Sequence, residues 1–265
     1  MVVLPADHHI GDEAIWLAGM AAGAERAAAE RGRTVVYGIT PSEPHTGYGY
    51  VRFGPTVATV GDTAVYTVEG FREKPDRDTA QRYLNDGVYK WNSGCFAWRP
   101  DSLLDLVELH MPQLHDVLKS LCCALDAGSP TDATVDARAR LDTALDELYP
   151  LAPAESVDYG ILERATGIEG IALDAQWNDV GSWTALFDIL QPEDGGNVIV
   201  GGDATLIECQ DCLIWGQDQH IAAVGLKEMI LVQSNGALLV CHRRDAQRVR
   251  QIVDELKKAG RTEYV

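Results

Sequence analysis

The segment VVLPADHHIGDEAIWLAGMAAGAERAAAERGRTVVYGI, residues 2–39, decides the fold class of this 265-residue chain. Its first residues, Val2-Val3-Leu4, predict a short buried strand, and the alanine-rich residues 12–30 predict a helix. Residues 33–39 predict a second apolar strand. A strand, a helix and a strand in close succession are typical of an α/β protein with parallel strands. Ligands of such proteins bind at the carboxyl ends of the strands, and the first strand leads to Asp7.

The middle of the chain predicts one hairpin and three further helices. The hairpin spans residues 56–71 and turns at Gly61-Asp62, which has the composition of a tight turn. The helices are predicted over residues 76–84, 102–127 with a break at Pro112, and 131–148.

The end of the chain has a different pattern. After Gly195, short β-prone runs are divided by Gly, Asp and Asn turns, and residues 244–258 predict a helix with one apolar face. We therefore predict two domains. Residues 1–192 form an α/β domain with flanking helices, and residues 193–265 form a small β-rich, β-helix-like module that ends in a helix.

Charge and composition exclude several classes of partner. The 40 acidic and 22 basic residues give a formal charge of -18, which disfavours binding to nucleic acid or to an anionic membrane surface. Apolar runs such as residues 228–232 are far shorter than the roughly 20 residues of a membrane span. The first residues lack the features of a secretion signal, so we expect a cytoplasmic protein.

The six cysteines are predicted to be buried, reduced thiols, because free cysteine is usually buried and most of them lie in apolar contexts. Cys209 and Cys212 have the spacing of a redox pair or of half a zinc site. A zinc site needs two further ligands, and His220 is the only candidate nearby.

Five short motifs together carry a resemblance to a known family. They are Pro5-Ala6-Asp7-His8-His9, TGYGY at residues 46–50, FREKP at residues 71–75, WNSG at residues 91–94 and WNDVGSW at residues 177–183. The chain resembles the sugar-1-phosphate nucleotidyltransferases, and within them the mannose-1-phosphate guanylyltransferase family, over nearly all of its length. The resemblance implies a partial Rossmann-like nucleotidyltransferase fold with a mixed sheet. It also implies the formation of GDP-mannose and pyrophosphate from GTP and mannose-1-phosphate.

Asp7 and Asp179 are the candidate metal ligands. Such transfers depend on positioning and on charge neutralisation, for which Mg²⁺ is suited because it binds one or two carboxylates together with substrate phosphates. The resemblance implies that this pair holds Mg²⁺ and that Asp179 is catalytic. The residues alone favour the alternative that each is an ordinary turn or cap aspartate. His8 and His9 are predicted to be structural, because histidine is a poor ligand for Mg²⁺.

Glu73 and Lys74 of FREKP are candidates for binding the sugar phosphate. The resemblance implies that Glu73 accepts hydroxyl groups of the sugar and that Lys74, a catalytic residue, neutralises its phosphate. Pro75 is expected to hold Lys74 in an extended conformation. The alternative is a solvent-facing ion pair that contributes little.

The remaining candidate substrate-binding residues come from three motifs. In WNSG, Asn92 and Ser93 offer polar groups and Gly94 allows close approach, whereas Trp91 is equally a core residue. In TGYGY, the resemblance implies binding roles for Gly47, Tyr48 and Gly49. In a further motif of the same family, SVDYG at residues 156–160, it implies a binding role for Asp158. Ser156 and Asp158 also suit the N-cap of a helix.

One feature of the family pattern is absent before Asp7: the glycine-rich segment with Arg and Lys that cradles the triphosphate. We therefore expect turnover to depend on such a segment. We also expect an open sheet edge to be covered by that segment, by a separate partner chain or by a homodimer. The alternative function is a non-catalytic sugar-phosphate-binding or regulatory subunit that pairs with a complete homologue.

Overall fold

The computed structural model describes residues 1–126, 135–190, 192, 194–217 and 219–264. The chain divides into two compact units. The first unit contains residues 1–6 and 10–177, and the second contains residues 7–9 and 178–265. The domain ends predicted at residues 192 and 193 lie in the chain segment of the second unit and stay a prediction. The first four residues of the helix predicted over residues 131–148 lie outside the described residues.

The described elements up to residue 178 comprise the predicted ones, in the predicted order, and four strands that were not predicted. In chain order they are β1 (Val2–Val3), β2 (His9–Ile10), α1 (Glu13–Ala28), β3 (Thr34–Ile39), β4 (Tyr50–Val60), β5 (Thr63–Arg72), α2 (Arg77–Asp86), β6 (Tyr89–Trp98), α3 (Pro100–His110), α4 (Pro112–Asp126), α5 (Val135–Leu148), a 3-10 turn (Tyr149–Leu151), a π-helix (Asp158–Leu162), β7 (Ile168–Leu173) and β8 (Trp177–Asn178). The hairpin is present as β4 and β5, and the helix break predicted at Pro112 separates α3 from α4.

The first unit is built on a mixed sheet with strand order β1-β6-β3-β7-β5-β4, in which β6 also pairs with β4. Strand β3 is parallel to β7 and antiparallel to β6. All six residues of β3 are buried, as expected for a central strand that is covered on both faces. The mixed α/β fold is therefore confirmed.

The first strand differs from its prediction in two ways. Antiparallel β6 lies between β1 and β3, so the two strands run in the same direction without being neighbours. Strand β1 is not buried, because it forms an edge of the sheet, where Val3 and the following Leu4 are 40% and 49% exposed. The prediction of a short buried strand is wrong for this reason.

Helix α1 packs closely on the sheet because small residues face it. Its first turn is capped by Asp12, whose Oδ1 accepts the Ile15 amide at 3.0 Å. At Gly23, a side chain would collide with the hydroxyl of Tyr37, which donates to Met20 O. Glycine at this position therefore sets the distance between helix and sheet.

The second unit contains a β-helix. After α6 (Trp183–Ile189) and a 3-10 turn (Asp194–Gly196), its elements are β9 (Val198–Val200), β10 (Ala204–Ile207), β11 (Leu213–Trp215), β12 (Ile221–Val224), β13 (Met229–Ser234), β14 (Ala237–His242), a 3-10 helix (Arg243–Arg248), α7 (Val249–Lys258) and a last 3-10 turn (Thr262–Tyr264).

Parallel pairing of successive strands defines the coils of this β-helix. Strands β9, β11 and β13 stack with Val198, Leu213 and Ile230 in register, and β10 pairs in parallel with β12. Strand β14 then returns antiparallel to β13 before the terminal helix. The predicted β-rich, β-helix-like module that ends in a helix is confirmed.

The cysteines follow their prediction only in part. Cys95, Cys209 and Cys212 are buried, and Cys241 is half-buried. Cys122 and Cys123 are exposed, so the prediction of burial is wrong for this pair, which α4 turns towards solvent. The thiols of Cys209 and Cys212 lie in an apolar cluster with Ile214 and Leu231.

Among the described residues, no helix combines the length and apolar character that crossing a membrane requires.

Asn197 generates a testable prediction for the second unit. Its buried amide accepts from the Cys212 N–H at 3.0 Å and donates to Cys209 O at 2.9 Å, which joins two coils. Asn197→Ala leaves two buried backbone groups unsatisfied and should lower the free energy of unfolding by about 2–4 kcal/mol. Urea denaturation followed by tryptophan fluorescence measures this change. Asn85→Ala, at an exposed position of α2, is the control, and equal effects of the two changes would contradict the role of Asn197.

Candidate active site

The FREKP segment forms a bend directly after β5 ends at Arg72. Lys74 has a φ of 42°, in the left-handed region, so the extended conformation predicted for it is wrong. This conformation is disfavoured before proline and carries a strain of about 1–3 kcal/mol. A tertiary contact offsets the strain, because Glu73 donates its backbone N–H to Glu163 Oε1 at 3.2 Å. Lys74 Nζ lies 3.4 Å from Oε1 of the preceding residue, Glu73.

The WNSG segment lies in β6 at an irregularity of the sheet. Val36 pairs with Phe96 and Gly38 with Asn92, so three residues of β6 lie opposite one residue of β3. Gly94 takes a φ of 70° within this bulge, which a glycine adopts without steric cost. The bulge therefore changes the direction of the side chains on either side of it.

Asn92 is held in one orientation by hydrogen bonds to both ends of its amide. Nδ2 donates to Asp158 Oδ1 at 2.8 Å, and Oδ1 accepts the Gly94 N–H at 3.2 Å. The Asn92 N–H donates to Gly49 O at 2.8 Å. Three motifs that are distant in sequence thus meet at one asparagine.

Gly49 completes a group that we call the polar cluster, made of Gly49, Glu73, Lys74, Asn92 and Asp158. A side chain at Gly49 would collide with Glu73 Oε2 and would come within 3.3 Å of Asn92 Cβ. Glycine is therefore required for these groups to approach one another.

Aromatic rings surround Tyr48 in the same unit. The Tyr48 ring stacks on His45 with centroids 3.8 Å apart and meets Trp91 and Trp177 edge-on at 5.0 and 5.5 Å. Both tryptophans are buried, so the core role left open for Trp91 is confirmed. Gly47 donates its N–H to His45 Nδ1 at 3.2 Å and so belongs to the loop that carries this stack.

Two carboxylates of the polar cluster have raised pKa values. Burial is the main cause of the raised pKa of Glu73, the negative charge of Asp158 adds to it, and Lys74 opposes it. Burial also raises the pKa of Asp158, against the hydrogen bond from Asn92. The Lys74 side chain is 59% exposed and the Glu73 side chain only 11%, so the ammonium group is the more accessible of the two.

Ser93 and Asp158 differ from parts of their predictions. Ser93 is 1% exposed, donates its hydroxyl to Tyr37 O at 2.7 Å and accepts the Cys95 N–H, so the structure does not support its predicted contact with substrate. Asp158 does not cap a helix, because its carboxylate accepts from Asn92 and the N-cap residue of the π-helix, Val157, makes no capping bond.

In the second unit, the segment around Asp179 is a tight turn. Asn178 Oδ1 accepts the Val180 N–H at 2.8 Å, and Asp179 Oδ1 accepts the Gly181 N–H at 3.0 Å. Val180 has a φ of 53°, which is strained for a β-branched residue. Ser182 then caps α6 through the Ala185 N–H. Asp179 therefore has the hydrogen bond of a turn aspartate, which is the alternative interpretation given above. The strained backbone also makes this turn a candidate functional segment.

Asp7 and Asp179 are both close to His8. The pKa of His8 is lowered, mainly by burial, and the negative charges of Asp179 and Asp7 oppose this shift. The two acids, remote in sequence, therefore act on one imidazole. In the part of the chain that the structure describes, no group of three or more His, Cys, Asp or Glu side chains could hold a metal ion. A pair of carboxylates still fits a hard divalent cation that takes its other oxygens from substrate and water.

Comparison with family models identifies the class of protein. The model described as "Nucleotidyl transferase" matches residues 1–193, and the model described as "MannoseP isomerase/GMP-like beta-helix domain" matches residues 202–256. The chain belongs to the nucleotidyl transferase family. Members of this family generally use a divalent metal ion.

The chain is also similar in sequence to individual proteins of known name. The chain is 39% identical to the xanthan biosynthesis protein XanB of Xanthomonas campestris over 99% of its own length and 52% of that protein. It is 36% identical to the mannose-1-phosphate guanylyltransferase RfbM of Salmonella typhimurium over 100% of its length and 52% of that protein. The chain thus spans about half the length of the curated relatives it matches.

A solved structure shows the same fold. The crystal structure described as mannose-1-phosphate geranyltransferase from Thermus thermophilus matches 97% of this chain and 69% of that one, with a TM-score of 0.79 and 32% identity. The family resemblance inferred from the five motifs is confirmed.

Glu163 was not predicted from the sequence. It follows the SVDYG segment, but only the π-helix brings it to the bend at Glu73. An isolated glutamate at the end of a predicted helix gave no signal of this contact.

The raised pKa of Glu73 predicts a dependence of stability on pH. Because the folded state holds the Glu73 proton more tightly than the unfolded state does, ionisation destabilises the fold as pH rises through the ordinary value of 4.5. Glu73→Gln should therefore raise the thermal midpoint at pH 7, and the gain should disappear well below pH 4.5. Calorimetry at both pH values measures it, with Glu25→Gln at an exposed position of α1 as the control. A gain that is the same at both pH values would contradict the assignment.

Proposed function

We propose that this chain catalyses nucleotidyl transfer from GTP to mannose-1-phosphate, forming GDP-mannose and pyrophosphate. The observation that supports this most strongly is the polar cluster, in which an accessible ammonium and two oriented polar side chains converge in a member of the nucleotidyl transferase family. Relatives whose names state this activity match the whole chain at 33–36% identity.

The polar cluster supplies the groups that a phosphorylated hexose requires. The Glu73 carboxylate accepts hydrogen bonds from sugar hydroxyl groups, and the fixed amide of Asn92 offers a donor and an acceptor to them. The ammonium group of Lys74 binds the phosphate. Gly49 lets Glu73 and Asn92 pack closely against its backbone, and Tyr48 lies in the aromatic group of the same unit.

A fixed cation is needed because the long-range field opposes the substrates. The chain has a formal charge of -18, so both GTP and the sugar phosphate approach against repulsion. Lys74 offsets this repulsion locally. Its left-handed backbone directs the side chain back towards Glu73, where phosphate and hydroxyl groups of one ligand can be bound together.

We propose Mg²⁺ as the divalent ion, with Asp7 and Asp179 as its protein ligands. When bound, Mg²⁺ neutralises phosphate oxygens and lowers the energy of the transition state. A phosphate oxygen of mannose-1-phosphate forms a bond to the α-phosphorus of GTP while the bond from that phosphorus to the β-phosphate oxygen breaks. The side chains of the protein bind and orient the two reactants.

The comparisons do not favour the alternative of a non-catalytic sugar-phosphate-binding or regulatory subunit. The cytoplasmic location and the covering of the sheet edge by a partner stay predictions.

Replacing the metal ligands tests the proposal. Asp179→Asn and Asp7→Asn should each lower the rate of pyrophosphate release from GTP and mannose-1-phosphate by roughly a thousandfold, since several kcal/mol of charge stabilisation is lost. Asparagine keeps an oxygen that can accept the Gly181 N–H, so the turn should persist. Calorimetric titration with Mg²⁺ gives a second readout.

Asp62→Asn, at the turn of the β4–β5 hairpin, is the matched control and should keep full activity. Wild-type rates in both metal-ligand variants would overturn the assignment of the pair. A wild-type protein that neither binds mannose-1-phosphate nor releases pyrophosphate would overturn the proposed function.

A further inference from the structure

The π-helix places two acidic residues on the same side of successive turns. In an α-helix, residues five positions apart point about 140° away from each other. Here the Glu163 N–H donates to Asp158 O at 2.9 Å, which is the i→i+5 bond of a π-helix. Asp158 and Glu163 therefore lie one above the other on successive turns.

The two acids accept hydrogen bonds from two different residues of the polar cluster, Asn92 and Glu73. The Asp158 carboxylate accepts from the Asn92 side chain of β6, and the Glu163 carboxylate accepts the backbone N–H of Glu73, beyond the end of β5. One short π-helix thus contacts both the Asn92 segment of β6 and the Glu73–Lys74 bend. Rare single turns of this kind are frequent at functional sites, which agrees with this position.

The Glu163 carboxylate accepts its hydrogen bond next to a strained part of the backbone. Strand pairing in the β4–β5 hairpin ends at Arg72, which pairs with Tyr50, so the following N–H of Glu73 finds its acceptor outside the sheet. The next residue, Lys74, has the left-handed backbone before Pro75. Such strain persists only where surrounding contacts fix the conformation, and the Glu163 carboxylate is one of them.

The contacts of neighbouring residues hold Glu163 in place. Arg164 donates to His110 O at 3.1 Å and pairs with Glu155 at 2.7 Å, which anchors the residue that follows Glu163 to α3. Leu162 and Ile161, which precede it, are buried in the core. Glu163 is therefore carried by a rigid segment and not by a loose loop.

We propose that Glu163 is a positioning residue, whose carboxylate holds the Glu73–Lys74 bend in the shape that binds the sugar phosphate. This inference rests on the proposed function, since that function assigns Glu73 and Lys74 to mannose-1-phosphate. Glu163 acts through the backbone of Glu73 and contacts no reacting atom.

Three substitutions of Glu163 distinguish the effect of its hydrogen-bond acceptor from the effect of its negative charge. Glu163→Gln keeps an oxygen acceptor at the same reach, Glu163→Asp keeps the charge but is one methylene shorter, and Glu163→Ala lacks both. Hydrogen exchange of the Glu73 amide, resolved by NMR, should be roughly tenfold faster in the Ala and Asp variants and within about twofold of wild type in Gln.

Steady-state kinetics of the full chain give the functional readout. The KM for mannose-1-phosphate should rise roughly tenfold in Glu163→Ala and Glu163→Asp, with the KM for GTP within about twofold of wild type. Glu163→Gln should restore the lower value. Glu108→Ala, a surface glutamate of α3, is the control and should change neither exchange nor kinetics.

The two readouts separate the inference from the function on which it rests. If wild type neither binds mannose-1-phosphate nor releases pyrophosphate, the proposed function fails, while the exchange of the Glu73 amide still decides the role of Glu163. If Glu163→Ala does not fold, the comparison of Asp with Gln decides it. Unchanged exchange in the Asp variant, or recovery with Asp but not with Gln, would overturn the proposal.

Discussion

The hydrogen bond from Asn92 to Asp158 is the interaction on which the candidate site depends. Removing a carboxylate from water is costly unless it is hydrogen-bonded, and the half-buried carboxylate of Asp158 accepts a bond from the amide of a side chain that lies beside a sheet bulge. The bond connects β6 to the π-helix, while the backbone bond from Asn92 to Gly49 connects β6 to the loop before β4. Segments that are distant in sequence are joined in this way, so the shape of the cluster follows from the sheet and not from loops alone.

The positions of the motifs could be predicted because glycine, proline and apolar periodicity have local causes. The hairpin turn at Gly61-Asp62, the break at Pro112 and the coils of the β-helix follow from such signals. The substrate-binding roles predicted for FREKP, WNSG and TGYGY rest on family resemblance, and the contacts among Glu73, Asn92 and Gly49 show that the three motifs lie together.

Other features depend on tertiary contacts that a local pattern does not contain. The preference of a residue before proline predicts an extended Lys74, but the bond from Glu73 to Glu163 favours the left-handed bend. The π-helix is likewise accompanied by tertiary contacts, with Asn92 of β6 and with the backbone of Glu73. Burial of the Ser93 hydroxyl against Tyr37 results from the bulge, whose register cannot be read from WNSG alone.

Binding of the sugar phosphate by the polar cluster is the central claim, and a crystal structure of this chain with mannose-1-phosphate tests it most directly. We expect sugar hydroxyl groups within hydrogen-bonding distance of the Glu73 carboxylate and the Asn92 amide, with the phosphate beside Lys74 Nζ. An ordered ligand bound elsewhere, with the cluster unchanged and in contact with water only, would contradict the claim.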